Sequence, residues 1–536
     1  MKTITFADCA CEFPVDENGK IDLDISLENI CLSCNKTWNL ISEGNTKGCF
    51  QLESRLGQMM SKKLKPNNIE QLSALISIMR PGCLEAYRDG KSVSNHYIDK
   101  KNQEEEVDFF HESLEPILKT TYGEMVYQEQ AMQICQKVAN FDLTEADRLR
   151  KAIGKKKPEE MKKIKKLFIK KTAETKILSK EEADQVFGWI EKSQRYSFNK
   201  SHAVSYAYNA YLSAYIKAHF AKHFFASYLK FAKDKIDPLK EIQELINNAN
   251  QMGIDVYKPS ISKPREEFFI DENDHQIYFG LTDIKGVGGS VYQKIIEILN
   301  NINLKDISFG ELYCKFFQHI NSTAVKALIS VGAIDCLSIS RNRMLFYYDC
   351  LNNLTSRESG VIENIFQKEK EIDKALGLLV DNTEKKLTAK RKDVILSIIN
   401  SIHKPPYSLE DSPEWIASNE RFYLGISLTC HKIDGCDIYS ANVECKDLLK
   451  SGCPKQPVLG AEIVDINVIK TKRGLNPGQE MAFVKAEDST GACDLVIFPE
   501  EFNKYKDLLM EGNTLLLKLD RSKNKDSFIV KKCWQV

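Results

Sequence analysis

Two short stretches hold residue types that bind phosphate. In the first, Lys151, Lys155, Lys156 and Lys157 gather around Gly154, and Pro158-Glu159-Glu160 follows. Proline suits the first turn of a helix, and acids suit the positive end of its dipole. Three lysines set just before such a start, with no acid among them, form a place where a phosphate is stabilised. Residues 151–180 carry 12 Lys against 3 Glu. Such runs are more often solvated helix faces, and only the glycine break and the helix start argue for more. In the second stretch, Phe198-Asn199-Lys200-Ser201-His202 opens a long helix. A cation and a titratable donor at the positive end of a helix make an anion site suited to a triphosphate.

The elements that must position these groups follow from periodicity. Val204, Tyr208, Tyr211, Tyr215 and His219 step by four, three, four and four, which predicts one buried helix stripe rather than a base-stacking ladder. Leu72, Leu75, Ile76 and Met79, then Ala131, Ile134 and Val138, extend helical spacing across residues 46–250. A strand-like Gln276–Leu281 leads into Ile284-Lys285-Gly286-Val287-Gly288-Gly289 and a helix from about Ser290. Glycines there let backbone approach a DNA phosphate, as in the turn of a helix-hairpin-helix, with Lys285, Gly286 and Gly288 as contacts. Residues 340–420 are charged and punctuated by Pro405-Pro406 and Pro413. From Pro457 onward, five short alternating segments separated by turn residues predict a small OB-type barrel. Lys470, Lys472 and Arg473 beside one turn could track single-stranded template, and Phe483 and Phe498 are read as core. The fold class expected is multidomain and mainly α, closing in an all-β barrel.

Composition removes several functional classes. The chain has 536 residues, with 75 Lys plus Arg against 75 Asp plus Glu. No apolar run approaches the ~20 residues that span a bilayer, and the N-terminus lacks a signal-peptide core. Membrane and secreted readings drop out. Sixteen Cys without a signal point to reduced thiols in the cytoplasm. Cys9-x-Cys11 and Cys31-x-x-Cys34 have the spacing of thiolate metal ligands. Chance pairs are expected among so many cysteines, and no histidine lies near them in sequence, so no metal is assigned. Asp22-x-Asp24 resembles a metal-binding carboxylate pair but sits in turn-like sequence and is read as loop. No catalytic carboxylate cluster is left.

Taken in order, the strings Gly48–Ser54, Arg80-Pro81-Gly82, Tyr122–Gln130, Glu145–Met161, Phe198–His202, Phe279-Gly280-Leu281, Gly332–Asp335 and Leu424-Gly425 with His431 are similar to those of the bacterial replicative DNA polymerase III alpha subunit, the C-family polymerase. The resemblance runs from about residue 28 to the C-terminus. It implies a connector over 1–45, fingers over 46–250 and a helix-hairpin-helix region over 251–345. A clamp-binding segment and linker over 346–450 and an OB domain over 451–536 complete it. It implies that Arg150, Lys151, Lys200 and His202 meet the triphosphate of a dNTP. Lys151 stands where the family usually has Arg, which keeps the charge and loses the planar fork. Ile365 and Phe366 are the nearest match to a sliding-clamp peptide, without its Gln. The palm, whose aspartates hold two Mg2+, lies upstream of any match, so a palm-bearing partner chain is expected to supply them. The leading expectation is therefore the C-terminal half of a split polymerase, working on primer-template DNA in a bacterial or phage-infected cytoplasm and inactive alone. A non-catalytic DNA-binding accessory is the rival, and a stand-alone nucleotide-binding enzyme is a weaker one.

Overall fold

The computed structural model describes residues 2–5, 9, 11–15, 21, 29–154, 158–193, 196–382, 387–448, 452–471, 477–522 and 528–536. The chain divides into two compact units, Met1–Phe224 and Phe225–Val536.

The first unit is helical apart from two hairpins. Strands β1 (Lys2–Thr5) and β2 (Glu12–Val15) pair antiparallel, Lys2 opposite Val15. Strands β3 (Tyr87–Arg88) and β4 (Lys91–Ser92) are joined by Asp89-Gly90, both at positive φ, the backbone a two-residue hairpin turn requires. One core joins the helices Gln128–Ala139, Leu143–Gly154, Pro158–Thr175 and Lys180–Ser193. Ala131, Ile134, Cys135 and Val138 recur at helical spacing and are all buried against Phe168 and Phe187. The Lys200–His219 helix buries Ala203, Ala207, Ala210, Tyr211, Ala214, Tyr215 and His219. Its core stripe is thus alanine in the first half and aromatic only in the second, and Val204 and Tyr208 are half-buried. Small residues there let a neighbouring element approach closely.

In the second unit a three-stranded sheet places β7 (Ile277–Tyr278) between β5 (Val256–Tyr257), parallel to it, and β6 (Phe269–Ile270), antiparallel. Helices Gly289–Leu299, Ser322–Ser330, Arg341–Leu351, Ser356–Phe366, Ala389–His403 and Pro413–Leu424 follow. Arg341 and Glu420, 2% and 0% exposed, form an ion pair at 2.8 Å that ties two of these helices together. Removing one partner of such a pair strands a buried charge.

The C-terminal segment is a closed barrel of β8 (Val458–Lys470), β9 (Glu480–Asp488), β10 (Gly491–Ile497), β11 (Thr514–Arg521) and β12 (Phe528–Gln535), in the order β10-β12-β11-β8-β9. Alternate residues fill it: Leu459, Ala461 and Ile463; Ala482 and Val484; Leu515, Leu517 and Leu519. Closure leaves no free sheet edge along the barrel wall.

Two expectations are corrected. Phe483 and Phe498 are not core: they are 36% and 42% exposed, Phe483 because it alternates with the inward Ala482 and Val484. Phe366 is not available to a clamp. It is 1% exposed and packs where a Cβ on Gly310 would lie, with Ile365 half-buried beside it. No helix among the described residues is long and apolar enough to cross a membrane.

Candidate functional site

Most of the recognisable strings of the first unit turn out to be the frame of one helix start. Phe198 is clipped to the strand-like Val126–Gln128 segment: its N–H donates to Val126 O at 2.9 Å, and its carbonyl accepts from Gln128 N–H at 2.9 Å. The Gln130 side chain holds that segment by accepting from Val126 and Tyr127 N–H, each at 2.9 Å. Arg80 lays its guanidinium over the Phe198 ring, 3.9 Å from the centroid. Behind it, the buried Glu124 pairs with Arg88 at 2.6 Å and Lys100 at 2.9 Å. On the other side of the helix, Phe50 N–H donates to Ser213 Oγ at 3.0 Å. The fully buried Lys217 gives its ammonium to Lys47 O at 2.7 Å, and burial pulls it down to about 8.

At the helix start itself, Asn199 accepts from His202 N–H at 2.9 Å, a standard N-cap. Glu129 then spans the cap, accepting from Asn199 Nδ2 and from Lys200 N–H, both at 2.9 Å. The positive end of the dipole is therefore already matched by a resident carboxylate. This alters the expectation that the helix start itself is the anion site, because two of its donors are taken and the side chains must do the work. Lys200 is one-third exposed, with Glu70 at 3.2 Å and the Tyr127 ring beneath it. His202 is exposed and lies between Phe198, edge-on at 5.5 Å, and Tyr206, tilted at 4.1 Å between ring centroids. A partly exposed ammonium beside an exposed imidazole, on a rigid platform, presents cationic and hydrogen-bonding groups to a polyanion.

Arg150 and Lys151 sit on the last turn of the Leu143–Gly154 helix, where cations suit the negative dipole end. Both reach back to Asp147, at 2.8 Å each, and their hydrogen bonds hold that carboxyl below its usual range. The carboxylate parks the two cations in an exposed position from which a more strongly charged ligand can draw them. Each of the two basic pairs thus has its own carboxylate. Lys155, Lys156 and Lys157 lie outside the described residues. So do Asp22 and Asp24 of the carboxylate pair.

The second unit presents its groups differently. Gly286 takes φ +98°, which a side chain would resist, and Gly288 caps the Gly289–Leu299 helix with no side chain over it. A Cβ on Gly288 would meet nothing within 4 Å, and the Val291 and Tyr292 N–H groups turn back onto Gly288 O at 3.0 and 2.9 Å. Lys285 is exposed, its ammonium over the Phe422 ring at 4.1 Å and its N–H on Tyr423 O at 3.0 Å. Asp283 anchors the turn by accepting from Gly280 N–H at 3.0 Å, and burial pushes its carboxyl up to about 7. In the barrel, Lys470 ends β8 in the open, opposite Glu480, while Lys472 and Arg473 lie outside the described residues. The outward Phe483, facing Val496 on β10, adds an aromatic surface that β-alternation could have revealed.

Two family models match. One is the bacterial DNA polymerase III alpha subunit finger domain over residues 4–176, and the other a helix-hairpin-helix motif over 253–344. The DNA polymerase III subunit alpha of Aquifex aeolicus is 32% identical over 520 residues, covering 97% of this chain. The chain matches the C-terminal portion of the bacterial DNA polymerase III alpha subunit. The Escherichia coli K12 and Staphylococcus aureus MRSA252 alpha subunits are each 30% identical, over 94% and 95% of the chain. The chain spans 40–43% of these three relatives' own lengths. The finger-domain match begins at residue 4, inside the stretch expected to be a connector. The strings at Arg80-Pro81-Gly82 and Tyr122–Gln130 thus frame the start of the Lys200–His219 helix, Gly48–Ser54 packs along it, and the string at 145–151 carries its own cations paired to Asp147.

Such polymerases use divalent metal and dNTP substrates. Among the described residues, the group of three or more side chains able to hold a metal is Cys9, Cys11, Cys34 and His219, a thiol and imidazole set. It does not fit the all-oxygen preference of Mg2+.

Proposed function

We propose that this chain serves template-directed DNA synthesis as the nucleotide- and DNA-binding part of a DNA polymerase III alpha subunit, within the cytoplasm. Lys200, His202, Arg150 and Lys151 neutralise the triphosphate of the incoming dNTP, while the 285–288 turn takes duplex backbone and the barrel takes single-stranded template. A finger domain beginning before residue 46, a helix-hairpin-helix region, a linker and a barrel make up the chain, and a palm-bearing chain supplies the carboxylates and the Mg2+. The observation that supports this reading best is the partly exposed Lys200 beside the exposed His202 on a helix start whose frame is built from the family's own strings. Any sliding clamp would be met through residues other than Ile365 and Phe366.

The electrostatic role is specific. Phosphoryl transfer builds negative charge on the triphosphate, and fixed cations there lower the barrier without reorganising. The test is primer extension by the purified chain, alone and with a palm-bearing alpha-subunit fragment. Extension should appear only with the partner. Robust synthesis by the isolated chain would overturn the division of labour, and DNA binding without extension under any pairing would favour the accessory reading.

A further inference from the structure

Cys9 and Cys11, Cys34, and His219 come from three separate parts of the first unit: the β1–β2 connection, the start of the Asn35–Ser42 helix and the last turn of the Lys200–His219 helix. Their ligand atoms all lie within 4.8 Å of one another. Cys34 Sγ is 3.3 Å from His219 Nε2, and Cys9 Sγ is 3.7 Å from Nδ1. A tetrahedral zinc with bonds of about 2.3 Å to sulfur and about 2.1 Å to nitrogen has ligand-to-ligand edges of about 3.5–3.8 Å. A metal would take one of those two nitrogens, so only one of the two distances is an edge of its tetrahedron, and separations of up to 4.8 Å within the cluster would shorten toward that edge. Cys11, Cys34 and His219 are buried, and Cys9 is half-buried.

The surroundings are those of a closed site. Phe13 packs its ring against His219 at 5.2 Å and Phe220 at 5.2 Å, and Tyr215 covers His219 at 4.4 Å. Cys34 occupies the N-cap position of its helix, where the dipole favours a thiolate. Cys31, the nearer partner of Cys34 in sequence, is exposed and bonds to Ser33 Oγ instead. The metal-like pair Cys31-x-x-Cys34 is therefore divided by the fold, and only one of its members joins the cluster.

We propose that Cys9, Cys11, Cys34 and His219 bind a structural zinc ion, which fastens the N-terminal segment to the end of the long helix that carries Lys200. Three thiols and an imidazole, buried and convergent, match the closed Cys3His class of zinc sites. The thiol protons leave to solvent as the metal binds, so no oxidant or reductant is needed. The imidazole binds through one nitrogen, leaving the other for the surrounding protein.

The full chain, purified reduced and without chelator, should carry about one zinc per chain, measured by elemental analysis. Cobalt substituted for zinc should give the intense charge-transfer and ligand-field bands of tetrahedral thiolate coordination. Cys34→Ser and His219→Ala should lose the metal, and Cys31→Ser should keep it. A reduced wild-type chain without zinc and without that cobalt spectrum overturns the site, a result independent of whether any variant folds. Equal loss of metal from Cys31→Ser and Cys34→Ser overturns the ligand set.

Discussion

The helix starts at Lys200 and at Gly289 carry opposite solutions to the same electrostatic problem. Both leave amides pointing out of a helix. At Lys200 the amides are satisfied from within, by Asn199 and Glu129, and cationic side chains stand beside them. At Gly289 no side chain caps the helix, the Val291 and Tyr292 amides turn back onto Gly288 O, and Glu266 Oε1 stands 4.0 Å from where a Cβ on Gly289 would lie. A substrate that must be held and then released as pyrophosphate suits side chains, whose pairing can be exchanged. A duplex that must slide suits bare backbone, which reads every phosphate alike.

The largest effect that would break this contrast is at Lys200. In a reconstituted extension assay, Lys200→Ala should lower the rate on the order of 10²-fold, and Arg150→Ala similarly, with duplex affinity unchanged. Equal losses of rate and of DNA affinity would show that the two starts are not specialised.

Next comes acidity. Asp283 is pushed up mainly by burial and further by Glu267, against the hydrogen bond from Gly280 and the charge of Lys233. Between about pH 4, the ordinary carboxyl value, and about 7, the folded protein holds this proton while the unfolded chain has lost it. Stability should therefore fall as pH rises through that window, by at most about 1.4 kcal/mol per pH unit, and level off above it. Denaturant titrations should show this slope, and Asp283→Asn should flatten it.

A smaller change should convert one start into the other. Gly288→Asp places a carboxylate at the open cap, worth up to about 1 kcal/mol of competition with phosphate, or about fivefold in DNA affinity. It should not unfold the helix, because Asp is a good cap and there is room for it. Gel-shift titrations check the affinity and thermal melting checks the fold. The reciprocal change is the mildest: Glu129→Gln should tighten dNTP binding by roughly two- to threefold, measured by fluorescence quenching, at a small cost in stability.

Which parts of this could be read from the residues follows from how local their causes are. Helical periodicity, the five alternating barrel segments and the glycine turn depend on neighbours in sequence and emerged directly. The Asp89-Gly90 hairpin had a legible two-residue signal that its very short strands obscured. Phe366 resembled a docking residue because sequence cannot show Gly310 making room for it. His219 is 185 residues from Cys34 and 210 from Cys9, so no spacing rule could bring it to the thiols. Glu129 capping a helix 71 residues later was hidden for the same reason.

That Glu129 carboxylate has one more consequence. A helix start that already holds an anion does not collect stray ones: chloride or acetate, with a single charge, would gain little beside a charge of the same sign. Only a ligand bearing several negative charges at once recovers enough from Lys200 and His202 to outweigh the repulsion. On the proposed triphosphate role, the resident carboxylate would set a threshold on charge number that small monovalent ions do not reach.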